Sequence, residues 1–146
     1  MKAIIWDFNG TLYNQKTKKL FYKAKVILDE CSKKYQQALV SSDILHPDKR
    51  KMLIKKLSIE KYFDHIEINF KTTKTFLNIC TLFKCNPKEF YVIGDNFFKE
   101  IKIGNKLGMK TIWFDFKGTL KLKQLLLGIK YWKKINKLDE LENLLK

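Results

Sequence analysis

Arginine is nearly absent from this chain: of 30 basic residues among 146, Arg50 alone is an arginine. The formal net charge of +15 is therefore carried by lysine. The lysines are spread from Lys16 and Lys33 through Lys55 to Lys134 rather than gathered in one tract. The charge reads first as a solvated surface, and second as an attraction for polyanions by counterion release. Cysteine is also scarce. Cys31, Cys80 and Cys85 are odd in number and lie in apolar surroundings, which argues against a disulfide framework and for small core residues of a reduced compartment. The two histidines, His46 and His65, have no cysteine or histidine at ligand spacing, which argues against a structural zinc site. No run approaches the about 18 uninterrupted apolar residues of a membrane span. The opening MKAIIWDF turns acidic too soon for a secretory signal. A cytoplasmic location and no membrane partner follow as expectations.

What is present is the composition of a folded domain, 45% hydrophobic and 31% charged. The length matches about one domain, so residues 1–146 are expected to form a single unit. Ala3–Asp7 is an apolar run ending in a carboxylate, as expected of a buried parallel strand. Phe21, Ala24, Ile27, Leu28 and Cys31 recur at helical spacing and predict one helix over Lys18–Lys34. Gln37–Ser41 predicts a second strand, 48–57 a helix, Ile59–Phe63 a short helical turn, and His65–Phe70 a third strand. Thr72–Phe83 predicts a helix, Phe90–Ile93 a strand ended by Gly94, Asn96–Leu107 a helix stopped by Gly108, and Lys110–Phe114 a fifth strand. The tail holds a leucine-rich segment at 119–127, a strand near Tyr131–Ile135 and a final helix over Leu138–Leu145. Strands alternating with helices predict an α/β domain: a three-layer Rossmann-like fold with a mostly parallel central sheet and helices on both faces.

In such sheets ligands gather at the carboxyl ends of the strands. Asp7, Ser41 and Asp95 fall at those ends, and a loop lysine, Lys71 or Lys74, follows the third strand. Two carboxylates, a hydroxyl and a lysine at one sheet edge suit a phosphate and a hard cation such as Mg²⁺. A carboxylate so placed can attack phosphorus. One pattern occurs twice, as DFNGTL at 7–12 and DFKGTL at 115–120. Only the first is followed by the other candidate groups, so Asp7 rather than Asp115 is the candidate.

Asp7-Phe8-Asn9-Gly10-Thr11-Leu12, the apolar Leu39-Val40-Ser41, the loop lysine and Gly94-Asp95-Asn96-Phe97-Phe98-Lys99-Glu100-Ile101 occur in the order of four motifs. In this the chain resembles the haloacid dehalogenase-like (HAD) hydrolases. The resemblance implies a Mg²⁺-dependent phosphatase-like enzyme working through an aspartyl-phosphate at Asp7. It makes Asp7 nucleophile and metal ligand, with Asp95 a second ligand and the backbone carbonyl of Asn9 a third. Ser41, with Ser42 beside it, and Lys71 would bind the phosphoryl group, and Lys71 would orient Asp7; Lys74 is the alternative lysine. Gly10 and Thr11 would offer backbone N–H groups to phosphate. Glu100 stands where the family has an aspartate and would assist Asp95.

Asn9 departs from the pattern, because phosphatases of the family carry an aspartate there that protonates the leaving oxygen and later activates water. An amide does neither, and general acid–base help is worth about 10²–10⁴-fold. The intervals from Asn9 to Gln37 and from Ser41 to Lys71 are too short for the cap domain many members insert, which predicts an open, capless site. A phosphorylated substrate, macromolecular if the basic surface has a role, is expected, with nucleic acid among the partners. The competing readings are a catalytically degenerate HAD-fold module that binds nucleic acid or a protein, and a phosphotransfer receiver domain.

Overall fold

A computed structural model describes residues 1–118 and 128–146. The leucine-rich segment at 119–127, and with it Thr119 and Leu120 of the second DFxGTL copy, lies outside the described residues. Six strands form one parallel sheet: β1 (Ala3–Asp7), β4 (Gln36–Ser41), β5 (His65–Ile68), β6 (Phe90–Gly94), β7 (Lys110–Phe114) and β8 (Lys133–Ile135). Their order is β5-β4-β1-β6-β7-β8, and every described pair in it is parallel. The chain is thus an α/β protein of Rossmann-like build. The order reverses at β1, which lies between β4 and β6, and this is where a parallel sheet opens a crevice.

Side chains alternate across a strand, and most of the core divides accordingly into two large clusters, with Phe97, Ile101 and Trp113 in a third, smaller one. Ile4 and Trp6 of β1, with Leu39, Ile93 and Ile112, pack on one face against Ala24, Ile27, Leu28 and Cys31 of α1 (Ala24–Ser32) and Ile54 of α2 (Pro47–Lys56). Leu141 of the last helix, α5 (Leu141–Leu144), closes the same face. Ala3 and Ile5, with Ala38, Val40 and Val92, pack on the other face against Phe76, Ile79, Cys80 and Phe83 of α3 (Thr73–Phe83). Ile103 of α4 (Lys102–Lys106) joins them. The three cysteines are free thiols; burial pushes Cys31 up to about 12 and Cys80 up to about 11, so both stay protonated in the core. No helix among the described residues is long and apolar enough to cross a membrane.

Two expected helices are built differently. The first part of Lys18–Lys34 is a two-stranded hairpin, β2 (Tyr13–Asn14) with β3 (Lys19–Leu20), and the helix begins only at Ala24. Asn14 Oδ1 accepts from the backbone N–H of Lys16 at 3.0 Å, Lys18 takes φ 55°, and Phe21 N–H returns to the carbonyl of Leu12 at 2.9 Å. An asparagine turn of this kind offers the backbone an alternative to helix. The second is Asn96–Leu107, which opens with a π-helical turn at Phe97–Ile101 before α4. The final strand is confined to Lys133–Ile135, and the final helix to α5 after a 3₁₀ turn at Leu138–Glu140.

One buried polar group ties three elements together. Gln37, fully buried, accepts from the Trp6 indole N–H at 2.8 Å and donates to the carbonyls of Leu28 (3.0 Å) and Tyr62 (2.9 Å). Leucine there would leave one donor and two acceptors unpaired in the core. Gln37→Leu is expected to cost about 3 kcal/mol of stability, read as a lower urea midpoint at unchanged slope.

Candidate active site

Asp7 is the last residue of β1, in the same alternation class as Ala3 and Ile5, and so leans toward the α3 side of the sheet. α3 supplies its partner. Thr72 caps that helix by accepting from Thr75 N–H at 3.1 Å, and Thr75 Oγ1 donates to the carbonyl of Phe70 at 2.7 Å, which pins the loop around Lys71. The Lys71 ammonium pairs with Asp7 Oδ1 and reaches Glu100 Oε2 at 3.4 Å. Thr11 Oγ1 donates to the other Asp7 oxygen at 3.0 Å. Burial draws the Lys71 pKa down, but the charges of Asp7 and Glu100 more than offset it and leave the ammonium above its ordinary value. Lys74 is exposed on the first turn of α3, so Lys71 is the lysine at the site.

Glu100 is more central than its expected supporting place. The π turn carries a backbone hydrogen bond from Ile101 N–H to the carbonyl of Asn96, five residues back, at 3.5 Å. Glu100 turns inward from it, 1% exposed, with Oε1 accepting from Asn96 N–H at 2.9 Å. A Cβ at Gly94 would collide with the Glu100 side chain. Gly10 has φ +78°, and a Cβ there would collide with the Asp95 carboxylate. Both glycines of the motifs are thus space-makers for carboxylates, and Gly10 also takes a backbone conformation that side chains disfavour.

Asp7, Asp95 and Glu100 each offer an oxygen within 4.8 Å of the others. Loss of solvent, then the hydrogen bond and charge of Asp7, pushes Asp95 up to about 8. Burial, then the Asp7 charge, pushes Glu100 up to about 7. Three carboxylates face one ammonium, and the excess negative charge and hard oxygen donors fit Mg²⁺. Ser41, at the end of β4, and Ser42 line the same open cleft of about 450 Å³, together with Asp7, Asn9, Lys71 and Asp95.

The Gly10 N–H donates to the carbonyl of Tyr13 at 2.8 Å and the Thr11 N–H to that of Phe8 at 3.3 Å. Both N–H groups are engaged inside the turn. Arg50, the single arginine, has a place at the site that the sequence reading does not assign to it. It lies on α2, 7% exposed, and donates from Nη1 to Asn9 Oδ1 at 3.0 Å and from Nη2 to Asp43 Oδ2 at 3.3 Å, with its guanidinium 4.7 Å from the Phe8 ring centroid. Its signal was present in the composition, as the only arginine of a lysine-rich chain. Asp115 follows the last residue of β7 and pairs with Lys134 at 3.2 Å, outside the Asp7, Asp95 and Glu100 cluster.

The parallel α/β sheet thus carries an acidic, lysine-bearing cluster at its crossover point. Residues 14–114 match the haloacid dehalogenase-like hydrolases, and the chain belongs to that family. The Asp7 motif precedes the matched span. A HAD phosphatase from Thermococcus onnurineus superposes with TM-score 0.81 at 14% identity, covering 99% of this chain and 98% of that one. A HAD-hydrolase-type protein from Bacillus subtilis, solved bound to magnesium, superposes with TM-score 0.76 at 17% identity, covering 87% of this chain and 56% of that one. At these identities the likeness is one of fold. A glyceraldehyde 3-phosphate phosphatase from Pyrococcus furiosus is 29% identical over 77 residues, 49% of this chain. That match spans about a third of the relative, 32% of its length.

The raised carboxyls give the ion-free protein a defined pH response. Unfolded, Asp95 and Glu100 ionise near 3.8 and 4.5; folded, near 8 and 7. Folding thus holds extra protons between those limits, and the stability they contribute at low pH is lost as pH rises through 7 and 8. Thermal melts in EDTA are expected to fall from pH 5 to pH 8.5. Mg²⁺ is expected to raise the melting temperature more at pH 8.5 than at pH 5, because at low pH it must displace protons.

Proposed function

We propose that the protein is a Mg²⁺-dependent phosphatase-like hydrolase that takes the phosphoryl group of a phosphomonoester onto Asp7. The observation that carries the reading is the strand-end Asp7 held by buried Lys71, with Asp95 and Glu100 within 4.8 Å. Asp7, Asp95 and the backbone carbonyl of Asn9 would hold the ion, with Glu100 beside them. Bound Mg²⁺ supplies the positive charge that lets an anionic carboxylate and an anionic phosphate approach. Lys71 orients the Asp7 carboxylate and, with the Ser41 and Ser42 hydroxyls, binds phosphoryl oxygens. Asp7 then displaces the leaving oxygen to give an aspartyl-phosphate, which water hydrolyses. The magnesium-bound neighbour and the phosphatase relative support this assignment.

The short segments after β1 and β4 hold a hairpin with α1, and α2 with β5. A capless site of this kind suits a substrate too large to be enclosed, and the charge of +15 favours a phosphorylated polyanion such as a nucleic-acid end. Asn9 favours a second reading, a degenerate module that binds nucleic acid or a protein partner without turnover, because an amide has no proton to give. Salt-dependent nucleic-acid binding with no Mg²⁺-dependent phosphate release would select it.

Hydrolysis of p-nitrophenyl phosphate is the deciding measurement. Activity is expected with Mg²⁺ and absent with EDTA. Asp7→Asn is expected to abolish it, and Lys71→Met to lower kcat by about 10²–10³-fold. Activity that survives Asp7→Asn overturns the assignment.

A further inference from the structure

Arg50 decides what Asn9 presents to the cleft. A guanidinium has only donors and stays charged. The oxygen of the Asn9 amide must therefore be the atom that faces it, as the 3.0 Å bond from Nη1 to Oδ1 shows. The two amide N–H groups are what Asn9 has left to offer. Arg50 itself is fixed on three sides, by Asn9, by Asp43 at 3.3 Å and by the Phe8 ring. The cleft thus carries, two residues after Asp7, a neutral donor held in one orientation. Asp43, the other carboxylate close by, lies against the same guanidinium.

We propose that Arg50 is a positioning residue that fixes Asn9 as an N–H donor, and that the site consequently takes phosphoryl donors whose leaving group departs as a stable anion, acyl phosphates above all. The inference rests on Asp7 being the phosphoryl acceptor. An Asp7 oxygen bonds to phosphorus as the bond from phosphorus to the acyl oxygen breaks. The electron pair leaves with the carboxylate, which needs no proton. An alkyl ester would have to expel an alkoxide, and no group at position 9 can protonate it. Asn9 N–H steadies the negative charge on the transferring group or on the departing oxygen, a role that needs a held donor rather than an acid. Hydrolysis of the aspartyl-phosphate lacks a base at the same position. Water must form its bond to phosphorus as the bond to the Asp7 oxygen breaks, the electron pair returning to the carboxylate, and must give its proton to solvent, so the phosphoryl group stays on Asp7 long enough to be observed.

The test incubates the full chain and Mg²⁺ with acetyl phosphate or with glycerol phosphate, following intact mass and phosphate release. Acetyl phosphate is expected to add one phosphoryl group, lost in Asp7→Asn, at least about a hundredfold faster than glycerol phosphate does. Arg50→Met is expected to slow labelling about tenfold with Mg²⁺ affinity unchanged, and Arg50→Lys to recover part of the rate. Asn9→Ala, which leaves Arg50 its contacts with Asp43 and Phe8, serves if Arg50→Met does not fold, and is expected to show the same loss. Equal rates with both donors, labelling undiminished in the Arg50 and Asn9 variants, or rapid phosphate release without label would each overturn the inference while leaving Asp7 as acceptor. No label and no phosphate release with either donor would overturn the Asp7 reading and this inference with it.

Discussion

The buried ammonium of Lys71, shared between Asp7 and Glu100, is the interaction on which the site depends. A lysine this deep is stable only against carboxylates, and a strand-end aspartate this deep needs a cation. Much of the surrounding sequence serves the pair. Thr72 and Thr75 fix the start of α3 so that Lys71 arrives, Gly94 leaves room for Glu100, and Gly10 leaves room for Asp95. One ammonium does not balance three carboxylates. That imbalance, more than any single residue, is what fits the cluster to the divalent ion of the proposed function.

Asn9 is where the chain departs from the motif that it otherwise resembles. Its amide is not an idle replacement, because a buried arginine holds its oxygen. Where the resemblance implies an acid, the chain has an amide whose oxygen is held by Arg50. Arg50, Phe8, Asn9 and Asp43 form a unit of their own on the α2 side of the crevice, opposite the α3 side from which Lys71 enters.

Much of this was legible in the sequence wherever strand alternation governs. Apolar runs ending in Asp7 and Ser41, and the run before Gly94-Asp95, announced the strands of a parallel sheet, and its geometry brings their ends together. The hairpin at Tyr13–Leu20 was not legible by periodicity, since Phe21 satisfies a helical pattern while the Asn14 turn takes the chain elsewhere. Glu100 read only as a support for Asp95, because the π turn that rotates it inward leaves no trace in apolar spacing. Arg50 stayed hidden for a different reason. Its role is a long-range hydrogen bond across 41 positions, which no local pattern encodes.

The parallel order also decides when the site comes into being. Asp7, Lys71 and Asp95 meet only after β1 has paired with β4 on one side and β6 on the other. In the unfolded chain these charges are far apart and solvated, so their repulsion burdens the native state alone. Such non-local pairing is slow to form. An ion that relieves their repulsion would therefore favour the folded molecule and leave the unfolded chain unaffected.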